Sequence, residues 1–265
     1  MFERWIQIRV SCIAALIRGR DLVPMSNTPK GDDFPSTQWS LIARAGGKEE
    51  AARGALAELC KQYWYPVYSF FRRRSASVEA AEDLTQGFFA QLLDGRMVAG
   101  ADESHGRFRA YLIGCCRNYL VDQLRRDGAK KRGGNARRVP IDLVEAEARF
   151  RREPAATDDP ERQFLRNWAF TLIEQTAAAV RREYADAGRT DLFDRLRSAL
   201  CGDTDSDAYR SIGNDLGLSE NAVKKAAQEL RRRYGAELRH RIRQTIVRTS
   251  EVEDEIRELF AVVAG

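Results

Sequence analysis

Histidine is scarce in this chain. His105 and His240 stand far apart, and neither has a ligand-spaced cluster of Cys, Asp or Glu around it, which argues against a zinc site. The five cysteines, Cys12, Cys60, Cys115, Cys116 and Cys201, form no CxxC pair. Their odd number does not suit a complete disulfide framework, so they read as reduced, buried thiols of a cytoplasmic protein. No apolar run approaches the roughly 18 residues that a spanning helix needs. A GxxxxGK[ST] phosphate loop, a GxGxxG turn and a GxSxG elbow are all missing, so nothing points to catalysis, a cofactor or a metal. Proline is infrequent at 7 of 265 residues, and Ala, Arg, Leu and Glu are abundant, which favours an all-helical fold.

Charged residues make up 31% of the chain and apolar residues 43%, with a net charge of only +5. That mixture excludes a collagen-like fibre and a wholly disordered chain, and the length allows one or two domains with a real core. Residues 1–35 form a poorly defined extension. Arg4, Arg9, Arg18 and Arg20 flank the short apolar run Val10–Ile17, yet no A-x-A cleavage site follows. Met25 opens a polar segment that would make an ordinary start of translation. Residues 1–24 are thus either a mis-set start or a loosely attached helix.

Residues 36–127 read as a run of helices. Trp39, Leu41 and Ile42 begin an apolar stripe after a cap at Ser36 or Thr37. Over Ala51–Arg74, Leu56, Leu59, Cys60, Tyr63, Trp64, Val67, Tyr68 and Phe71 recur at helical steps, and Pro66 is expected to kink or divide that helix. A further helix opens at Ser77 as its cap, with Leu84, Phe88 and Leu92 stacked and Phe89 and Leu93 widening the buried face. Phe108–Arg126 carries Phe108, Leu112, Cys115 and Tyr119 on one side. Its other side holds Arg109, Arg117, Asn118, Asp122, Arg125 and Arg126.

Between 128 and 160 the texture changes. Three glycines, three prolines and a basic stretch from Lys130 to Arg138 indicate a flexible linker, with a short helix near Val144–Arg151. This tether turns acidic from Glu145 to Glu161. Helical patterning returns at Phe164–Tyr184 and Leu192–Leu200, so the chain is expected to be two helical domains joined by a flexible, basic linker.

Residues 209–234 have the pattern of a helix-turn-helix within the second domain, 161–247. Ile212, Leu216, Leu218 and Val223 occupy its apolar positions, Gly217 the turn and Gly213 the close approach. Ser219 caps the second helix. Glu220, Asn221, Lys224, Lys225 and Gln228 then project from the turns that enter a major groove in this motif. From 224 to 243 there are eight Lys/Arg against two Glu, and Arg231 and Arg232 fall where phosphate contacts are made. The plainer reading is an αα-hairpin with a solvated, charged face.

The order Glu82-Asp83-Leu84-Thr85-Gln86-Gly87-Phe88-Phe89, then Phe108–Leu112, then Arg117–Arg126, ending in the helix-turn-helix, resembles the bacterial sigma-70 family of RNA polymerase sigma factors. It resembles specifically the small two-domain extracytoplasmic-function (ECF) group. The likeness covers roughly residues 36–126 and 160–246. It implies a soluble transcription-initiation subunit whose partners are the polymerase core (β′ clamp helices and β subunit) and promoter DNA. By resemblance, Glu82, Asp83, Gln86 and Phe89 bind core polymerase. Arg109, Tyr111, Arg117, Asn118, Asp122, Arg125 and Arg126 read the −10 element. Ser219, Glu220, Asn221, Lys224, Lys225, Gln228, Arg231 and Arg232 meet the −35 element. Tyr111 stands where a Trp is usual; it or Tyr119 would stack on a flipped base, with core packing favoured for Tyr119.

Residues 248–265 are an acidic tail: five carboxylates against one arginine over 250–258, with Val252, Ile256, Leu259 and Phe260 at helical spacing. It reads first as an extra helix packed on the second domain, and alternatively as a clamp over the basic recognition surface. An anti-sigma partner is compatible with the resemblance. The competing function is a stand-alone helix-turn-helix regulator that never joins polymerase.

Overall fold

The structure, a computed structural model, describes residues 50–93, 97, 107–127, 143–153, 159–197, 206–246 and 249–264. Every regular element among them is helical, as the all-α expectation requires. In chain order they are α1 (Glu50–Arg72), α2 (Val78–Leu93), α3 (Phe108–Asp127), α4 (Leu143–Phe150), α5 (Pro160–Asp186), α6 (Thr190–Leu196), α7 (Ser206–Leu216), α8 (Glu220–Arg243) and α9 (Val252–Ala264), the last preceded by a 3-10 turn. The expected N-terminal helix at Trp39–Ile42 and the basic stretch 130–138 lie outside the described residues.

The described residues fall into two compact units. One runs to Thr171 and includes Arg243–Val252; the other is Leu172–Ile242 with the residues from Glu253 onward. The limit falls inside α5.

α1 is not divided at Pro66. An interior proline costs a helix about 3 kcal/mol. That cost is offset by dense burial around it: Tyr63, Tyr65, Val67, Tyr68, Phe70 and Phe71 are all at most 2% exposed. Their rings meet those of α2 and α3. Phe71 lies edge-on to Phe88 at 5.8 Å, Phe88 edge-on to Tyr119 at 5.7 Å, and Tyr63 edge-on to Phe108 at 5.3 Å. Such pairs add about 0.5–1.5 kcal/mol each beyond their burial.

Ser77 caps α2 as expected, its hydroxyl accepting from the Ala80 amide at 3.2 Å. The buried face of α2 is rotated from the expected one. Thr85 is fully buried and Leu84 only half-buried, with the Thr85 hydroxyl donating to the Ala81 carbonyl at 2.7 Å. On α3 the buried stripe is Phe108, Leu112, Cys116 and Tyr119, so Cys116 replaces the expected Cys115.

In the second unit the apolar face of α8 is buried through Val223, Ala227, Leu230, Tyr234, Leu238 and Ile242. The Tyr234 hydroxyl donates to the Ile173 carbonyl on α5 at 3.1 Å, and Tyr184 packs its ring 5.7 Å from Phe193. α9 buries Val252, Ile256, Leu259 and Val263, one residue every three or four.

Candidate nucleic-acid interface

Three surfaces carry the residues singled out in the sequence. On α2, Asp83 is exposed and Glu82 and Gln86 are half-exposed, while Phe88 is buried beneath them. Phe89 is 0% exposed, so it belongs to the core and is removed from the contact set. The reason is geometric: Phe88 and Phe89 sit edge-to-face at 5.6 Å, and both rings close the space between the helices.

On α3, Arg117, Asn118, Asp122, Arg125 and Arg126 are exposed along one side. Two residues of the expected −10 set, Arg109 and Tyr111, are not on it. Arg109 is 5% exposed, with its guanidinium 4.8 Å from the centroid of the Trp168 ring of α5. Burial, helped by repulsion from Arg107, lowers its pKa to about 10, which still leaves it charged at neutral pH. Tyr111 is half-buried, stacked on Phe108 at 6.2 Å, and its hydroxyl donates to the Met97 carbonyl. Burial raises its pKa. Tyr119 is a core residue, as favoured. Neither tyrosine presents a face for a base.

Two apolar residues occupy that surface instead. Val121 is 45% and Leu124 64% exposed, between Asn118 and Arg125. The sequence reading places neither of them on either side of the helix. Their spacing from Tyr119 held the signal, since steps of two and five residues turn away from a helix's buried stripe.

The third surface is the α7–α8 pair. Gly217 has φ +66°, the left-handed conformation that ends a helix cheaply only for glycine. The Leu218 amide donates to the Gly213 carbonyl at 2.8 Å, closing the turn. A Cβ on Gly213 would stand 2.6 Å from the Leu218 carbonyl oxygen, which explains the small residue there. Ser219 caps α8, its hydroxyl accepting from the Ala222 amide at 3.2 Å. Asn221, Lys224, Lys225 and Gln228 are exposed on the first turns.

Glu220 is half-buried, bridged to Lys224 at 2.7 Å and to Arg210 at 3.6 Å, and the Lys224 contact holds its carboxyl below the usual range. Further along, Arg232 grips Glu229 with two bonds of 2.7 and 2.8 Å. Arg231 is partly covered and donates to the Tyr209 hydroxyl at 3.1 Å.

A fourth group was not foreseen as a unit. The acidic half of the tether lies on the arginines that end α1 and line α3. Glu147 of α4 accepts from Arg72 Nε at 3.2 Å and from the Tyr68 hydroxyl at 2.9 Å. Burial opposes its charge, but bonds from Arg72 and Tyr68 outweigh it and hold the carboxyl below its usual range. Glu153 accepts from Arg73 Nη2 at 2.9 Å, Asn167 Nδ2 at 2.8 Å, and the hydroxyls of Tyr65 and Ser69. Glu161, in the first turn of α5, takes both ends of the Arg117 guanidinium. These partners come from distant parts of the sequence, so no spacing rule could have found them.

Residues 59–130 match the family model described as Sigma-70 region 2. That segment takes in most of α1 and all of α2 and α3, so this part of the chain is similar to Sigma-70 region 2. Neither the curated proteins nor the solved structures contain a match to the chain. Among the described residues no helix is long and apolar enough to cross a membrane.

Proposed function

We propose that the chain is a two-domain sigma factor of the ECF type, a cytoplasmic subunit that confers promoter recognition on bacterial RNA polymerase without chemistry of its own. The observation that carries this reading is the region 2 match falling on α1–α3, where an acidic, hydrogen-bonding face and an arginine-rich face stand on separate helices. Glu82, Asp83 and Gln86 suit a basic coiled-coil partner such as the β′ clamp helices; like charge makes them unsuited to DNA. Arg117, Arg125 and Arg126 offer phosphate contacts along α3. Asn118 supplies both donors and acceptors to an unstacked base, and Val121 and Leu124 supply apolar cover for it.

The α7–α8 pair is read as the helix-turn-helix that meets the upstream −35 element. The capped N-terminus of α8 presents Asn221, Lys224, Lys225 and Gln228 to base edges, with Ser219 and Glu220 at its start and Arg231 and Arg232 behind them. Unstacking the −10 bases costs a few kcal/mol per step, which base capture and polymerase contacts together must offset.

The test is a pull-down of the full chain with purified core polymerase, followed by run-off transcription from selected promoters. Core binding with promoter-dependent transcripts is the expected result. Duplex binding without core binding would replace this reading with a stand-alone helix-turn-helix regulator.

A further inference from the structure

We propose that the arginine edge formed by Arg72, Arg73 and Arg117 is a nucleic-acid backbone site, held in the free chain by Glu147, Glu153 and Glu161 as internal stand-ins for phosphates. This deepens the reading of Arg117 as a DNA contact and rests on it.

Three consecutive arginines stand at the end of α1, and the first two pair with acids of the tether. Arg72 pairs with Glu147 at 3.2 Å and Arg73 with Glu153 at 2.9 Å. Arg74, exposed at the helix end, lies in the electrostatic field of Glu161 and Asp159. Arg117 on α3 completes the row through its two-pronged contact with Glu161.

The three carboxylates come from α4, from the turn just after it and from the first turn of α5. Their partners are those that bind phosphodiesters: guanidinium groups, in fork geometry at Arg117, with tyrosine and serine hydroxyls and an asparagine amide beside them. Tyr65 and Tyr68 donate to Glu153 and Glu147 respectively. The row also adjoins the exposed side of α3, where Asn118, Val121 and Leu124 stand.

The two ends of the row differ in how readily they open. Glu153 is 5% exposed and takes bonds from four side chains, so it anchors the segment. Arg117 is 57% and Glu161 29% exposed, and an ion pair so placed is held weakly and screened by salt. A strand would therefore displace Glu161 first, then Glu147, in competition for the same guanidinium donors. Because the acids are on the same chain, their effective concentration is high and weak pairs suffice to block non-specific binding.

The experiment uses the full chain, the paired variant E147Q/E161Q, and both in an R117Q background. The probe is a short fluorescein-labelled single-stranded DNA, with melting temperature recorded for every protein. E147Q/E161Q should bind about three- to tenfold more tightly than the parent at low salt, the gain fading as screening rises. R117Q should remove most of that gain.

A paired variant that melts like the parent but binds no better overturns the proposal. So does a gain that R117Q leaves wholly unchanged, since freeing Arg117 from Glu161 would then have contributed nothing. Hydrogen exchange on the unmodified chain gives an independent reading. Saturating DNA should speed exchange of the α4 amides around Ala146 and Glu147; unchanged or slowed exchange also overturns the proposal. Core-polymerase binding is scored separately. A chain that binds core yet shows no gain loses only the internal mask, and one that shows the gain without core binding loses only the sigma assignment.

Discussion

Gly87 of α2 and Tyr119 of α3 claim the same space: the tyrosine hydroxyl stands where a Cβ on residue 87 would be built. The helices can approach closely there because residue 87 has no side chain. Tyr119 uses the opening to reach Phe71 and Phe88, at 5.8 and 5.7 Å. A glycine inside a helix costs about 1 kcal/mol relative to alanine, and here the packing returns it.

Gly87→Ala should therefore destabilise the protein by about 1–3 kcal/mol, the usual cost of overpacking, although alanine is the better helix former. Urea unfolding of the full chain measures it. Adding Tyr119→Phe, which removes the clashing oxygen, should recover part of the loss. A Gly87→Ala protein as stable as its parent would show that the helices have room to spare.

Asp83→Ala should weaken association with core polymerase while leaving the fold unchanged, because the side chain is exposed and contributes little packing. Combining it with Gln86→Ala should weaken it further. Phe89→Ala is the contrasting case. It should lower stability by about 3–5 kcal/mol as a core truncation, and any loss of core binding should follow the loss of folded protein. If Asp83→Ala leaves circular dichroism and core affinity both unaltered, the α2 surface is not the docking face.

The local devices were legible in the sequence and the assignments to faces were less so. The serine caps at Ser77 and Ser219, the turn at Gly217 and the close approach at Gly213 each follow from backbone geometry within four or five residues. Arg109 and Phe89 were misplaced for a different reason. Periodicity gives the centre of a buried stripe but not its width, and Arg109 is one helical step from Leu112 and Ile113, both buried. Its burial needs the Trp168 ring, which α5 brings from another part of the chain. The carboxylates of the tether are the same case. Glu145–Glu161 read as an ambiguous charge run because their partners on α1 and α3 are set by tertiary structure alone.

Residues on α8 should separate into base readers and backbone grips. Asn221 and Lys224 substitutions should change preference at particular base pairs, by about 1–3 kcal/mol for a good bidentate contact. Arg231 and Arg232 substitutions should weaken binding nearly uniformly, each lost phosphate contact taking about 0.9 from the salt slope. Lys224 must first leave Glu220, and Arg232 must leave Glu229, so Glu220→Gln and Glu229→Gln should each raise affinity. Identical effects on every sequence from all four basic and amide positions would remove the distinction.

Glu229 gives a pH dependence with a definite sign. Hydrogen bonds from Arg232, and then Arg233, lower its carboxyl from 4.5 to about 2. A carboxyl depressed on folding stabilises the native state above its unfolded value and loses that contribution as pH falls through the folded one. The difference in melting temperature between the parent and Glu229→Gln should thus be constant above pH 4.5, shrink below it and vanish near 2. A difference that does not change over this window would mean the arginines hold Glu229 no more tightly than solvent does.

Truncation after Thr249 tests whether α9 is an ordinary structural helix. Its acidic sequence follows a helix rich in arginine, and an ion pair from Arg239 to Glu253 at 2.9 Å joins the two. That contact lies in the last turns of α8, far along the helix from Asn221 and Lys224. The stronger observation is the burial of Val252, Ile256, Leu259 and Val263, each at most 5% exposed. Full burial of a side chain of this kind is worth about 1.5–3 kcal/mol, and even after allowing for a compact unfolded chain the four together outweigh a partly exposed ion pair such as Arg239–Glu253. The truncated protein should therefore melt several degrees lower, and DNA binding should fall with the folded fraction. Leu259→Ala, which keeps every charge of the helix, should reproduce much of that loss, at about 2–5 kcal/mol. If truncation instead left the melting temperature unchanged and raised DNA affinity at low salt, the acidic face of α9 would be a cover for the basic helix, and its buried stripe a secondary feature.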